Sequence, residues 1–342
     1  MSHHVCLNEK CETVKSKPCL SNFCYTRMVI PSTAMNTSEE QRESFCSTSM
    51  PFWNIALSTY YILILIIAVP GNVLALWAFF HQKITSPTKV FLSGLAVADI
   101  SYVLILPLRI VYHLMACRWP FELVLCRITG FLFHLNMYCS IYLMSFISLD
   151  RFLAVVVPLK SKSIRKPLYA KVSMCILWGI VIVSMCPTLF PKNNQAIKSS
   201  ICTAIYLEKS SITAFYSTIV AFGIPLTSVI LSYMLILLKL RALKQQSDRQ
   251  VKDKVRKTIF FIMTHFLVAF VPYHVSRVIY IKSHITGPIT AAREESLAQA
   301  NQITSALACM NAALDPVMYF FLNRAYRDQS LKLFSKPRQQ EQ

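Results

Sequence analysis

Residues 53–80 read WNIALSTYYILILIIAVPGNVLALWAFF, and no Asp, Glu, Lys, Arg or His interrupts them. A bilayer core about 30 Å thick is crossed by about 20 apolar residues in a helix. This stretch is long enough to cross once, with room to tilt. Six further stretches have the same character, at about 90–115, 123–157, 171–190, 210–238, 256–281 and 296–322. The third is too long for one crossing, so its ends are expected at the interface or in the cytoplasm. Short connections make neighbouring spans antiparallel. The expected fold is an all-α integral membrane protein, a seven-transmembrane helix bundle. An extracellular tail is expected at residues 1–52, the seven-helix bundle at 53–322 and a short cytoplasmic segment at 323–342. Within that segment Tyr326, Leu331, Leu333 and Phe334 alternate with Arg324, Arg327 and Lys332. Such a pattern predicts a short amphipathic helix lying on the membrane surface.

Composition agrees. Charged residues make up 15% of the 342 residues, against about 25% in soluble domains, which points to lipid as the solvent. The net charge of +19 suits either nucleic-acid binding or a membrane protein with basic cytoplasmic loops. The distribution decides between them. The connections after spans 1, 3 and 5, with the tail, carry 20 Lys and Arg, and the other three connections carry 6. The positive-inside rule then places the tail in the cytoplasm and the N-terminus outside. Nucleic acid is excluded as a partner, because topology accounts for the charge. The sequon Asn36-Thr37-Ser38 falls on the outer side, as a glycosylated site must. Met1–Thr26 contains no apolar core of a secretory signal, so the first span is expected to act as its own insertion signal. Twelve cysteines are present, five of them (Cys6, Cys11, Cys19, Cys24 and Cys46) in the polar tail. No CxxC pair exists, which argues against a structural zinc site.

Ionisable residues are costly in hydrocarbon and face the interior of a bundle. Asp99 in span 2 and Asp315 in span 7 lie at depth, with Asn136 and Ser140 one turn apart on span 3 and Asn311 one turn from Asp315. Carboxylate, amide and hydroxyl oxygens together suit a small hard cation such as sodium. A water-filled hydrogen-bond network without an ion is the competing reading. No other cofactor is expected. On the outer half, Arg109 lies about 15 Å beyond Asp99 at 1.5 Å per residue. Phe270, His274 and Arg277 share one face of span 6, and Phe133, His134, Met137 and Tyr138 lie on span 3, with Tyr112 and His113 on span 2. These residues predict an outer cavity with aromatic walls and a cationic rim, fit for an anion. Snorkelling of either arginine to headgroups is the alternative. His265 is expected to be structural. Neither His134 nor His265 has a catalytic partner at suitable spacing, so an enzyme is not expected. No internal repeat supports a transporter, nor charged rings a channel.

Each span carries a further marker: Gly71-Asn72-Val73, Leu95-Ala96-Val97-Ala98-Asp99, Cys126 with Asp150-Arg151-Phe152, Trp178, Pro225 with Tyr233, Phe266 with Phe270-Val271-Pro272, and Asp315-Pro316-Val317-Met318-Tyr319. In this order the chain resembles the rhodopsin-class G-protein-coupled receptors from about Pro51 to Phe334. Leu135-Asn136-Met137-Tyr138, Pro272-Tyr273-His274 with Arg277, and the Asp-Pro form of the last motif narrow the resemblance to the purinergic nucleotide receptors and their lipid-sensing relatives. The runs Leu106–His113, Trp119-Pro120-Phe121 and Thr129–Phe133 look closest to the branch that responds to uracil nucleotides and cysteinyl leukotrienes.

The resemblance implies plasma-membrane location and a small anionic extracellular ligand of uridine-diphosphate or leukotriene type. It also implies coupling to a heterotrimeric G protein, with the inhibitory class expected. It implies a disulfide between Cys126 and Cys202, and Cys46 with Cys117 is the nearest remaining extracellular pair. Asp150, Arg151, Tyr233 and Tyr319 are the implied coupling residues, with Arg151 expected to pair with Asp150 at rest. Phe152 replaces a tyrosine, and Asn301, Gln302 and Ser305 stand where several nucleotide receptors place a cation. Gln302 joins the expected ligand contacts. No acid near Phe133 supports an amine ligand, and no Lys within 294–323 could carry a retinal Schiff base. A lysophospholipid or a peptide of chemokine type remains open, since a phosphate-bearing lipid would use the same two arginines.

Overall fold

The computed structural model describes residues 51–83, 85–190, 202, 210–242 and 249–334. Eleven α-helices follow one another among them. The first span is α1 (Pro51–His81), and the second is divided into α2 (Pro87–Val103) and α3 (Leu106–Leu114). The third is the unbroken α4 (Leu123–Val156), followed by the single turn α5 (Pro158–Ser161). The fourth is α6 (Pro167–Met185), closed by a 3-10 turn at Cys186–Thr188. Helices α7 (Ile212–Ala242) and α8 (Arg249–Thr286) form spans five and six. The seventh is split into α9 (Ala291–Cys309) and α10 (Asn311–Leu322), and α11 (Arg324–Phe334) follows. Seven helical units are thus long and apolar enough to cross a membrane, as the sequence predicts. Their outward faces are apolar too: Ile62, Leu63, Ile66 and Ile67 on the first span and Ile176, Ile180 and Val183 on the fourth are exposed. In lipid that exposure is the favoured arrangement.

The six intramembrane prolines do not act alike. Proline lacks an N–H and its ring crowds the carbonyl four residues earlier. Pro107 divides span two: α2 ends at Val103, Leu104 and Ile105 turn, and Pro107 sits in the first turn of α3. Pro187 lies in the 3-10 turn that ends span four. Pro70, Pro225, Pro272 and Pro316 lie inside continuous helices. For Pro316 the compensation is visible. The Ala312 carbonyl, deprived of its helical donor, accepts Asn72 Nδ2 from the first span at 2.9 Å, while the same nitrogen lies 2.9 Å from the Ala68 carbonyl. Gly71, one residue earlier, lets the proline ring approach: a Cβ there would lie 2.8 Å from Pro316 Cβ and closer still to Cγ.

The amphipathic helix is pinned to the same corner. Asn323 Oδ1 caps α11 by accepting the Tyr326 N–H at 3.0 Å, and its Nδ2 donates to Gln82 Oε1 at 3.2 Å. Tyr326 is buried against Phe79 and Tyr319, whereas Leu331 and Leu333 are exposed on the side available to lipid.

Two substitutions probe this corner. Gly71→Val forces the first and seventh spans apart, an overpacking cost of about 1–3 kcal/mol. Asn72→Leu removes the donor to Ala312 and costs a similar amount, about 1–3 kcal/mol for a stranded buried carbonyl. Thermal unfolding of the detergent-purified receptor should show both variants melting below wild type, with Ile66→Val, on the lipid face, unchanged.

Candidate functional site

Three polar regions are stacked through the bundle. The outermost gathers both expected arginines. Arg109 is fully buried and lies over the Phe133 ring, 4.3 Å from its centroid, with Nη1 donating to Cys309 Sγ at 3.6 Å. Arg277 is 4% exposed and lies 5.5 Å from the Tyr280 ring. Between them sits His134. Its Nδ1 is 2.7 Å from the Gly130 carbonyl and must donate, so Nε2 accepts the Tyr273 hydroxyl at 3.1 Å. Both guanidiniums interact electrostatically with His134 and with Tyr273, so they belong to one chamber and neither snorkels. His274 adds an acceptor. Its Nδ1 donates to the Phe270 carbonyl at 2.8 Å, its ring stacks on Phe222 at 4.0 Å, and Tyr138 meets it edge-on at 6.0 Å. The buried Nε2 of His274 has no hydrogen-bond partner among the described residues.

Other expected ligand contacts have firm neighbours in the bundle. Phe270 is fully buried against Phe266 and beside His265. Tyr112 packs with Cys117, Cys126 and Cys202, beneath the disulfide. Gln302 Oε1 accepts Trp53 Nε1 at 3.0 Å, and Tyr60 donates to the Ala306 carbonyl at 3.0 Å, so this face of span seven is tied to span one. Conversely, Tyr273 and Tyr280 are contacts that the sequence reading misses. Tyr273 is legible as the residue one turn before Arg277; Tyr280 gives no signal beyond its spacing.

The disulfide between Cys126 and Cys202 is present, with Cα atoms 5.7 Å apart. Cys117 is disulfide-bonded as well, while its expected partner Cys46, the sequon at Asn36 and Glu208 lie outside the described residues.

The middle region is the network around Asp99. Its Oδ1 accepts Asn136 Nδ2 at 2.9 Å and Asn311 Nδ2 at 3.5 Å, and the Tyr319 hydroxyl lies 3.1 Å from Oδ2. Asp315 interacts electrostatically with Asp99, accepts Asn311 at 3.3 Å, and has His265 Nδ1 3.9 Å away. Three buried oxygens, Ser140 Oγ, Asn311 Oδ1 and Asp315 Oδ1, have no hydrogen-bond partner among the described residues. Buried polar atoms without partners are rare and call for an explanation such as an ion or water. The donor set is all oxygen, which fits a hard monovalent cation. Tyr319, an expected coupling residue, joins this network, its hydroxyl 3.1 Å from Asn72 Oδ1 as well. Two buried acceptors hold the phenol inside the bundle.

The innermost region corrects the expected resting pair. Asp150 is held not by Arg151 but by the fork of Arg165, Nε to Oδ1 at 2.7 Å and Nη2 to Oδ2 at 3.2 Å, and by the Thr88 hydroxyl at 2.6 Å. A side chain cannot turn readily toward its own neighbour on a helix, whereas Arg165, after the turn α5, approaches head-on. Arg151 instead lines a cavity of about 180 Å³ with Tyr233, Lys254, Thr258 and Phe321, and its Nε has no hydrogen-bond partner among the described residues.

Seven apolar spans, a buried polar network joining four of them, and an arginine-lined cavity at one end define a seven-transmembrane signalling receptor. The sequence model of the 7 transmembrane receptor (rhodopsin family) matches residues 71–319. The chain belongs to that family and is a G-protein-coupled receptor of the purinergic nucleotide branch. It is 44% identical over 286 residues to the human uracil nucleotide/cysteinyl leukotriene receptor, covering 82% of this chain and 77% of that one. The mouse uracil nucleotide/cysteinyl leukotriene receptor is 43% identical over 302 residues, 87% of this chain and 88% of the relative. The rat uracil nucleotide/cysteinyl leukotriene receptor is 42% identical over 302 residues, again 87% and 88%. A human purinoceptor is more distant, 31% identical over 308 residues, 86% and 82%.

Loss of either half of the disulfide should have the same consequence. Cys126→Ser and Cys202→Ser are each expected to lose about 2–4 kcal/mol, and the double variant no more than either alone. Thermal melts of the three purified variants check this, and non-reduced peptide mass spectrometry should recover the linked pair.

Proposed function

We propose that this receptor responds to a small anionic extracellular ligand, of the uracil-nucleotide or cysteinyl-leukotriene type named in its relatives, and activates a heterotrimeric G protein of the inhibitory class. The proposed setting is the plasma membrane, with the N-terminus outside and the tail in the cytoplasm, a reading supported by the distribution of Lys and Arg. The observation that carries the ligand reading is the convergence of Arg109 and Arg277 on the His134–Tyr273 pair. Guanidinium groups stay charged and present forked donors that match phosphate or carboxylate oxygens. Tyr138 and the open acceptor of His274 flank the same space, offering an aromatic face and one hydrogen bond to a base or to an acyl amide.

Transmission then follows from who holds whom. A ligand that draws Arg277 toward itself acts on span six, and His274 on the same helix is stacked on Phe222 of span five. Phe222 in turn lies 6.0 Å from Phe266, one layer deeper on span six. At depth, Asp99, Asn136, Ser140, Asn311 and Asp315 would hold sodium, which supplies a positive charge between spans two, three and seven and favours the closed arrangement. A ligand shifts the equilibrium only by its differential affinity for the two arrangements. At the inner end Arg151 is the group that would meet the G protein, with Tyr233 beside it. Lys254 and its basic neighbours serve the same opening or anionic headgroups.

Agonist potency on surface-matched receptors tests the ligand site. Arg277→Ala should lose about 1.5–3 kcal/mol, roughly 10- to 150-fold, and Arg277→Lys should recover only part because the fork is gone. Unchanged potency in both Arg109→Ala and Arg277→Ala would end the anion reading.

The ion site is tested by exchanging sodium for choline. Agonist affinity should rise in choline for wild type and stay constant for Asp99→Asn; a wild-type receptor indifferent to the exchange would remove sodium from the scheme. For output, Arg151→Ala at normal surface density should abolish G-protein nucleotide exchange.

A further inference from the structure

A second cavity lies outside the bundle interior. It has a volume of about 640 Å³ and is walled by spans three, four and five. No Asp, Glu, Lys, Arg or His lines it. The fourth span presents Ser173, Leu177, Val181 and Ser184 along one edge of it. Ser173 and Ser184 are eleven residues apart, so the cavity runs for roughly 16 Å along the helix axis at 1.5 Å per residue. Ile176, Ile180 and Ser217 at its margin are exposed on the lipid side, so the cavity opens laterally to the bilayer and not to water.

We propose that this cavity is a binding site for a neutral membrane lipid carrying a single hydroxyl, a sterol being the bilayer component with that chemistry. Its size falls within the range of about 300–1,000 Å³ typical of small-molecule sites. Its depth excludes a phosphate headgroup: the third-span wall, Tyr138, Tyr142 and Phe146, lies in the middle of a 34-residue helix, where an uncompensated charge is expensive. A bare acyl chain fits the apolar lining but answers none of its hydroxyls. Ser217 already donates to the Ala214 carbonyl at 3.1 Å and so remains an acceptor, and Tyr138 and Tyr142, whose phenols can donate, line the opposite wall. A ligand hydroxyl can both donate to the first and accept from the second, and the flat ring system of a sterol matches the aromatic wall. Tyr138 is shared: its other edge meets His274 of the arginine chamber, so the occupant touches a residue that also borders the ligand space.

The probe is cholesterol bearing a diazirine, incorporated with the purified receptor into phosphatidylcholine nanodiscs, photolysed and mapped by peptide mass spectrometry. Label should concentrate on peptides of spans three to five that contain Tyr142, Ser184 or Ala221, and excess unlabelled cholesterol should remove it. Ile180→Trp closes the lipid-side mouth from an exposed position, and Ala221→Phe fills the interior; each should reduce the competed label several-fold. Label spread evenly over all seven spans, or undiminished in both variants, overturns the proposal. So does label that excess phosphatidylcholine displaces and cholesterol does not, which would assign the cavity to acyl chains. If Ala221→Phe fails to fold, the exposed Ile180→Trp and the wild-type map decide between these outcomes.

Discussion

A missing N–H on span seven organises much of this receptor. Pro316 cannot donate to Ala312, and a bare carbonyl inside a membrane has no water to turn to. The first span answers with the amide of Asn72, and Gly71 supplies the clearance that brings the two helices close enough. Asn72 is then fixed, so its oxygen is available to Tyr319, whose hydroxyl also reaches Asp99 on span two. Spans one, two and seven are thereby joined through one asparagine, and Asp99 carries the chain of contacts on to Asn136 of span three. The amphipathic helix depends on the same corner, because Tyr326 packs against Tyr319 and Phe79.

The bundle holds both firmly paired polar groups and buried polar atoms with no hydrogen-bond partner among the described residues. Gln302, Tyr60 and Asn72 all have firm partners across the first and seventh spans. Ser140, Asn311, Asp315, His265 and His274 each keep at least one buried atom without a hydrogen-bond partner among the described residues. An interface of the first kind resists separation. One of the second kind can rearrange at lower cost, since fewer bonds must be broken before new ones form. At the inner end Asp150 is occupied by Arg165 and Thr88, so Arg151 stands at the inner cavity without a bidentate lock.

The amino-acid order alone determined the number of spans, the terminal amphipathic helix, the family and the disulfide between Cys126 and Cys202. Hydropathy needs only local composition, and the disulfide follows once the family is recognised. The residues around Asp99 were legible as well, because ionisable groups at depth are rare and stand out. Spacing on one helix face was enough to group Arg109, His134, Tyr138, His274 and Arg277 on the outer half, where the fold brings them together. It did not show that Phe270 packs on Phe266 or that Tyr112 packs with Cys117, Cys126 and Cys202, since helical periodicity says which residues share a face but not which neighbour that face meets.

What tertiary structure decided is partner choice. Asp150 adjoins Arg151 in sequence, yet the backbone of a helix directs neighbouring side chains apart, and a guanidinium from beyond the next turn takes the carboxylate. Tyr319 lies near the inner end of its span by position, but two acceptors from other helices hold it inside. Gln302 faces span one because Trp53 is there to donate. The lateral cavity beside Tyr138 has no signature in any single span, for its walls come from three helices whose residues are individually ordinary. Composition and periodicity are properties of one segment; hydrogen bonds and cavities are properties of pairs and triplets of segments, and only their packing fixes which atoms lie within bonding distance.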